Sequence, residues 1–381
     1  MHEFKPKDDA LKITIVGGSI GGLCAGVALR GVGADVRIYE SHPGPMETRG
    51  AGIVVQDDLT TLLQRYNAPA LPTTSCRLRR YLEPDGGEGR MQAMPQRFTS
   101  WEAIYKTLRE TFPEDRYHMR ARVKSFEQIG NRVTANIERH KPVASDVLVC
   151  ADGANSASRR RLLPDVKPRY AGYIAWRGTL DEPDAPSHLV AFFDDAFTFS
   201  EARSGGHILV YLIPGENADS ASGKRRLNWV WYVHMTEDML ASTLVDRHGH
   251  RHLSSLPQGL APDGAIQELC ARAKREVHPR FAELLEATKD PFIQTIIDIT
   301  VPRTVFGRVM LLGDAAFVVR PHTAAATAKA AHDASALANA LERARQNVDM
   351  SLKNAETLQI ELGQRLTQYG KALGSNWTSR K

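Results

Sequence analysis

The chain has 381 residues, 42% of them hydrophobic and 24% charged, with a formal net charge of +5. That is enough apolar material for a large core in two closely packed domains, or one large α/β domain with an insertion, without disulfides or a metal. The basic residues are scattered and form no nucleic-acid module, so the expected consequence is a mildly basic surface that draws anionic ligands. Cys24, Cys76, Cys150 and Cys270 are widely spaced, as in a cytoplasmic protein with reduced, mostly buried thiols. The N-terminal residues MHEFKPKDDALK lack an apolar core, and no apolar run is long enough to span a bilayer.

Ile13–Val16 reads as a buried parallel strand, followed by a Gly-rich turn and a helix from Leu23 to Gly31. A second strand, Asp35–Glu40, completes a β-α-β unit. Residues 98–112 show helical spacing, with Trp101, Ile104, Tyr105 and Leu108 on one face and Ser100 as N-cap. Residues 132–138 alternate as a strand does, and Asp146–Cys150 is a further buried strand. Between about 170 and 300 the aromatic, alternating runs His207–Ile213 and Leu227–Val233 predict long antiparallel strands. Arg308–Leu312 is again a buried strand, followed by an Ala-rich helix from Ala324 to Leu341 and a last helix over about 350–373.

Three strand ends carry chemistry. Residues 17–22 read Gly-Gly-Ser-Ile-Gly-Gly, a G-x-G-x-x-G pattern with Ser19 in the middle place. Between a strand and a helix, Gly17 permits the turn and Gly22 permits close helix–strand packing. Gly18, Ser19, Ile20 and Gly21 then bring backbone near a pyrophosphate. Glu40 ends the next strand, where a carboxylate accepts both hydrogen bonds of a ribose diol and repels a 2′-phosphate. After Cys150 comes Ala151-Asp152-Gly153-Ala154-Asn155-Ser156-Ala157-Ser158-Arg159, and after Leu312 comes Gly313-Asp314-Ala315-Ala316. Each places an Asp beyond the carboxyl end of a strand, where ligands bind in open α/β sheets. One such Asp alone is usually a helix cap.

With these motifs the chain resembles the flavoprotein aromatic hydroxylases of the para-hydroxybenzoate hydroxylase fold. That family carries a Gly-rich FAD turn, D-G-x-x-S-x-x-R, and G-D-A-A followed by Pro, here Pro321. Gly172–Gly178, Leu227–Tyr232 and Arg320–Ala324 are similar to its 2,6-dihydroxypyridine 3-monooxygenase-like branch. The resemblance implies a Rossmann-like FAD-binding domain with an inserted antiparallel-sheet substrate domain and C-terminal helices. The corresponding division is 1–170 for the FAD-binding domain with a small sheet insertion, 171–300 for the substrate domain, and 301–381 for the rest. It implies that Gly17, Ser19, Gly22 and Glu40 hold the ADP half of FAD. Arg49, Ala51 and Gly52 would pass beside the flavin. Gly313 and Asp314 would meet the ribityl or pyrophosphate. Asp152 and Arg159 would serve FAD and transient NADH or NADPH. The loop of Pro321, Thr323, Ala324, Ala325 and Ala326 would direct N–H groups at the flavin ring. Where the family has Gly this chain has Ala326, whose methyl is expected to crowd the ring or bend the loop.

The implied reaction uses NAD(P)H to reduce FAD and O2 to form a C4a-hydroperoxide that hydroxylates an electron-rich ring. Tyr211, His322 and Arg203 are the catalytic candidates. Tyr211, His207, Trp231 and Phe317 are the candidates to touch a small aromatic substrate. For each, ordinary core packing competes. His248, His250 and His252 alternate as metal ligands could, but the flanking Arg residues and Gly249 favour an exposed turn. A homodimer is expected only through the resemblance. Another flavin oxidoreductase on this fold, or a non-catalytic flavin-fold binding protein, stands as the alternative. Halogenation is disfavoured because Trp229-Val230-Trp231 continues as Tyr232-Val233 rather than x-Ile-Pro.

Overall fold

The computed structural model describes residues 10–44, 52–343 and 347–378. Arg49 and Ala51 lie outside the described residues. The first sheet has six strands in the order Val305–Phe306, Val309–Leu311, Val147–Cys150, Lys12–Val16, Asp35–Tyr39 and Tyr117–His118. All neighbours run parallel except the Val305–Phe306 edge. Ile13 and Ile15 face helix Ile20–Gly31 in a core shared with the Ala-rich helix Ala326–Arg343. Small side chains explain that close approach: Ala331, Ala334 and Ala338 are fully buried there. The last helix, Val348–Thr378, packs on the Ala-rich one and touches the Val305–Phe306 edge strand and the turn at Pro321–Thr323.

The second sheet has nine strands in the order Ser255–Leu256, Phe292–Asp298, Arg169–Asp181, Arg226–His234, His207–Ile213, Ala196–Glu201, Thr74–Leu82, Glu88–Ser100 and Gly52–Val54. It therefore draws three strands from residues 52–100, besides those expected between 171 and 300. The small sheet expected within 1–170 is separate: Val123–Ile129, Arg132–Ile137 and Val143–Ser145 form their own three-stranded unit.

Two-residue periodicity gives the large sheet two different faces. Ile174, Trp176, Ile208, Val210, Trp229 and Trp231 pack against Leu269, Phe281, Leu284 and Leu285. The last four belong to helices Asp263–Glu276 and Pro279–Ala287, which the strand-dominated reading of this region does not anticipate. Trp229 is fully buried and its Nε1 donates to Thr288 Oγ1 at 2.9 Å. Truncating a buried Trp of this kind costs about 3–5 kcal/mol. The opposite face presents Tyr173, Ala175, Val230, Tyr232, Leu209 and Tyr211, and this face forms one wall of the site.

The histidine run is a turn bridged at Val245 and Arg251. Asp246 Oδ1 accepts the His248 and His250 N–H groups, and Oδ2 bonds His252 Nε2 at 2.9 Å. Among the described residues no cluster has the donors for a metal, and no helix is long and apolar enough to cross a membrane. All four cysteines are free thiols, three of them buried.

Candidate active site

The chain turns at Gly17 with φ +93°. A Cβ there would lie 2.5 Å from the Ala151 carbonyl oxygen, and one at Gly22 would lie 1.9 Å from the Gly17 carbonyl oxygen. The first position must stay bare for the neighbouring strand end to approach. The second must stay bare for the helix to start against its strand. Tyr117 closes the turn by donating its hydroxyl to the Gly18 carbonyl at 2.8 Å. Glu40 is 8% exposed. Its Oε2 accepts the Gly18 N–H and its Oε1 the His42 N–H, each at 2.7 Å, and Oε1 also accepts from Ser41 Oγ at 3.3 Å; Oε2 keeps a further lone pair, and Glu40 sits behind the residues that line the cavity. The Ser19 side chain makes no capping bond. The first N–H groups of a helix have no intrahelical acceptor, and here they open, with Ser19, Ile20 and Gly21, onto a cavity.

The cavity measures about 1370 Å³, above the roughly 300–1,000 Å³ of common small-molecule sites. It runs from the Gly-rich turn past Gly313 and Asp314, along Pro321–Ala324 and Ala326, to the open face of the large sheet. Burial pushes the Asp314 carboxyl above the usual range, while the cations of Lys329 and Arg159 pull it back.

Asp152 and Arg159 do not line the cavity. Asp152 accepts from Ser156 Oγ at 2.6 Å and from the Ser158 N–H at 3.0 Å. Arg159, 1% exposed, donates to the carbonyls of Ala154 at 2.6 Å and Ala315 at 3.1 Å. Together they fold the loop after Cys150 and tie it to the loop after Leu312, while Gly153, Ala154 and Asn155 reach the cavity.

The loop before the Ala-rich helix is a tight turn, Pro321–Thr323, followed by Ala324 in the left-handed region at φ +54°. Gln56 pins it by donating Nε2 to the Ala324 carbonyl at 2.6 Å. Ala326 opens the helix and is not among the residues of positive φ. The backbone therefore does not demand glycine at 326, although the residue lines the cavity. Backbone strain sits at Ala324 instead. Ala325 points away from the cavity and is buried.

At the sheet end, Tyr211, Tyr232, His207, Arg177 and Gln294 line the cavity. The Tyr211 ring stacks on Phe98 at 4.4 Å and meets Phe197 edge-on at 5.0 Å. Burial pushes its hydroxyl up to about 12, partly offset by Arg177. Gly52 lies under this ring: a Cβ there would be 2.6 Å from Tyr211 Cε2. Arg177 Nη1 donates to Gln294 Oε1 at 2.7 Å, and its buried Nε has no protein partner among the described residues.

His322 also lines the cavity. Its Nε2 is 3.0 Å from the Gly370 carbonyl oxygen, which can only accept, so Nε2 carries the proton. Its Nδ1 then accepts from the Tyr173 hydroxyl at 3.4 Å. That hydroxyl accepts in turn from Arg320, which grips Asp298 through two bonds of 2.9 and 2.7 Å. Burial lowers His322 to about 4 and His207 to about 3, so both rings are neutral at neutral pH.

Three expected residues lie elsewhere. Arg203 is exposed in the turn before His207–Ile213, its N–H bonded to the Glu276 carbonyl. Trp231 is one residue out of register with Tyr232 and so faces the helices, with the Arg272 guanidinium 5.5 Å from its ring. Phe317 is fully buried against the last helix, where Gly363 leaves room for it. Conversely, sequence reasoning missed Arg177, Gln294, Tyr232 and Gln56. A signal existed for the first: Arg177 is a lone charge in the apolar strand run Tyr173–Leu180.

An FAD binding domain-like family model matches residues 170–298. The chain is 34% identical over 374 residues to the 2,6-dihydroxypyridine 3-monooxygenase of Paenarthrobacter nicotinovorans, covering 96% of this chain and 91% of that relative. The 6-hydroxynicotinate 3-monooxygenase of Pseudomonas fluorescens is 25% identical, with 87% and 82% covered. The solved structure of 2,6-dihydroxypyridine-3-hydroxylase from Arthrobacter nicotinovorans superposes with a TM-score of 0.89 at 33% identity, over 98% of this chain and 93% of that one. With a Gly-rich turn, an Asp-bearing strand end and an aromatic sheet face sharing one cavity, the chain belongs to the FAD-dependent aromatic hydroxylases.

Proposed function

We propose that this enzyme hydroxylates an electron-rich ring bearing an ionisable hydroxyl, a hydroxylated pyridine or phenol, using NADH or NADPH and O2. The observation that carries this substrate reading is Arg177: a guanidinium with a buried, unpartnered Nε, facing an aromatic chamber beside Gln294. A half-buried cation with a spare donor favours an anionic or carbonyl-bearing ring.

The residues present fit FAD. Gly17 and Gly22 let the turn close tightly on the Ala151 strand end, and two helix N-termini open on one cavity. In this reading the Ser19–Gly21 backbone holds the pyrophosphate, Glu40 the ribose and Asp314 the ribityl chain. The Ala324–Thr327 backbone holds the polar edge of the flavin ring. When bound, FAD supplies the redox and oxygen-transfer chemistry. The first and last parts of the chain then carry the dinucleotide, and the large sheet carries the ring substrate.

The chain's own part is to bind, orient and desolvate. Arg177 and Gln294 orient the ring hydroxyl, while Tyr211 and Tyr232 wall the chamber. Burial favours the neutral forms of Tyr211, His207 and His322, raising the first and lowering the other two, so none is matched to act as a general base near pH 7. We infer that Arg177 makes the ring more reactive by stabilising its anion.

A panel of hydroxypyridines, phenols and their O-methyl ethers, scored by NAD(P)H consumption and hydroxylated product, tests this. Turnover is expected with the free hydroxyls and not with the ethers. Equal turnover of the ethers would remove the role given to the ring anion.

A further inference from the structure

Beneath the strand end that bears Asp314 lies an ion pair outside the cavity. Lys329 and Asp333 are one helical turn apart on the Ala-rich helix, each 1% exposed, with Nζ 2.8 Å from Oδ2. Lys329 Nζ also donates to the Gly313 carbonyl at 3.0 Å. Asp333 Oδ2 accepts the Gly313 N–H at 3.3 Å and Gln359 Nε2 at 3.3 Å. Gln359 in turn donates to the Leu311 carbonyl at 3.0 Å. The pair thus holds the Gly313 N–H and adds a third donor to its carbonyl, which also accepts the N–H groups of Ala316 at 3.1 Å and Phe317 at 3.0 Å. Gly313 has φ +65°, a conformation with many near-isoenergetic alternatives for glycine. Gripping its N–H and carbonyl selects one of them, and the next residue is Asp314.

Stability alone does not account for this pair. Taking two charges out of water is expensive, and a well-packed apolar replacement is often neutral or stabilising. The surrounding helix is rich in alanine, so an apolar pair would suit its environment. What an apolar pair would lose is the acceptor for the Gly313 N–H and the Lys329 contact to its carbonyl, leaving only the backbone turn to hold that residue.

We propose that Lys329 and Asp333 are positioning residues that aim Asp314 into the dinucleotide site and so set the affinity for FAD. This rests on the assignment of Asp314 to FAD made above. FAD is titrated into the full-length apoprotein and followed by flavin fluorescence, for wild type, D314A, K329M/D333L and the triple variant. Apoprotein melting temperature is measured alongside. K329M/D333L is expected to melt near wild type yet bind FAD about tenfold more weakly or worse. The triple variant is expected to bind no more weakly than D314A, because the pair acts through Asp314. Wild-type affinity in K329M/D333L, or multiplying losses in the triple variant, would overturn the proposal. Unchanged affinity in D314A would instead overturn the assignment of Asp314 and the proposal with it. If the double variant does not fold, K329M/D333N, which removes the Lys329 contact without leaving an unpaired buried charge, is read by the same titration, and an unchanged Kd sinks the idea.

Discussion

Replacing Gly22 by alanine should abolish tight FAD binding while leaving a folded protein. The added Cβ would sit 1.9 Å from the Gly17 carbonyl oxygen and 3.4 Å from Ile15 Cγ2. Cβ atoms essentially never approach closer than 3.0 Å, so helix and turn must separate by roughly an ångström. Overpacking of this kind costs about 1–3 kcal/mol of stability. The larger effect falls on the ligand. Moving the helix N-terminus misaligns at least two N–H groups from the pyrophosphate, and hydrogen bonds to charged groups are worth about 1.5–3 kcal/mol each. The expected loss is therefore roughly two to four orders of magnitude in Kd. Gly21→Ala is the control: its Cβ would meet nothing closer than 3.9 Å. It should melt like wild type, so any loss of FAD affinity there reports the occupant rather than the fold. Fluorescence titration of the apoproteins, with melting curves, reads both variants. Wild-type affinity in Gly22→Ala would refute the reasoning from the turn.

Arg177→Met keeps the length of the side chain and removes its charge. It should lower kcat/KM for ionisable rings by roughly 10- to 150-fold, the worth of a hydrogen bond to a charged group, and leave FAD affinity within twofold; an unchanged kcat/KM would remove Arg177 from the substrate site. Stability should fall with acidity. His207 and His322 are depressed in the folded state, so below about pH 6.5 only the unfolded chain takes up their protons. Their contribution is complete above that pH and is lost as pH falls toward about 4, at up to about 1.4 kcal/mol per unit for each ring. Melting curves of wild type and His322→Gln from pH 7.5 to 5 check this, the variant being the less pH-sensitive. Ala326→Gly should change apoprotein stability by less than about 1 kcal/mol and tighten FAD binding severalfold by removing a methyl from the cavity wall. Weaker binding would show that the methyl does not crowd the ring.

The legible parts of this protein are those written in local patterns. The first strand, the Gly-rich turn and the second strand stand where their spacing puts them. Ser100 caps its helix by accepting the Ala103 N–H at 3.0 Å. The side of a strand that a residue faces is equally local, and an aromatic residue type alone does not fix it. Strict alternation places Tyr232 at the cavity and sends Trp231 to the helices. Arg203 failed for a different reason: a turn residue next to a pocket strand is near in sequence but points to solvent.

Other features depend on tertiary context. Thr74–Leu82 is half-buried and carries three Arg, and Glu88–Ser100 is much exposed and carries Arg and Gln, so both lack the apolar signal of a sheet member. Helices Asp263–Glu276 and Pro279–Ala287 exist because the sheet's second face needs a cover. Asp152 and Arg159 carry the family motif, but their hydrogen bonds are made within the protein. A motif fixes which residues occur together, and whether they touch a ligand is decided by loops from three distant strand ends.

The central claim is that this chain transfers an oxygen atom from O2 to an ionisable aromatic ring. Its most direct test is turnover of the FAD-loaded enzyme with NAD(P)H and a hydroxypyridine under 18O2, with mass analysis of the product. The account predicts one labelled oxygen per product molecule and one NAD(P)H consumed for each. Product oxygen drawn from unlabelled water, or NAD(P)H oxidation that no ring substrate stimulates, would contradict it.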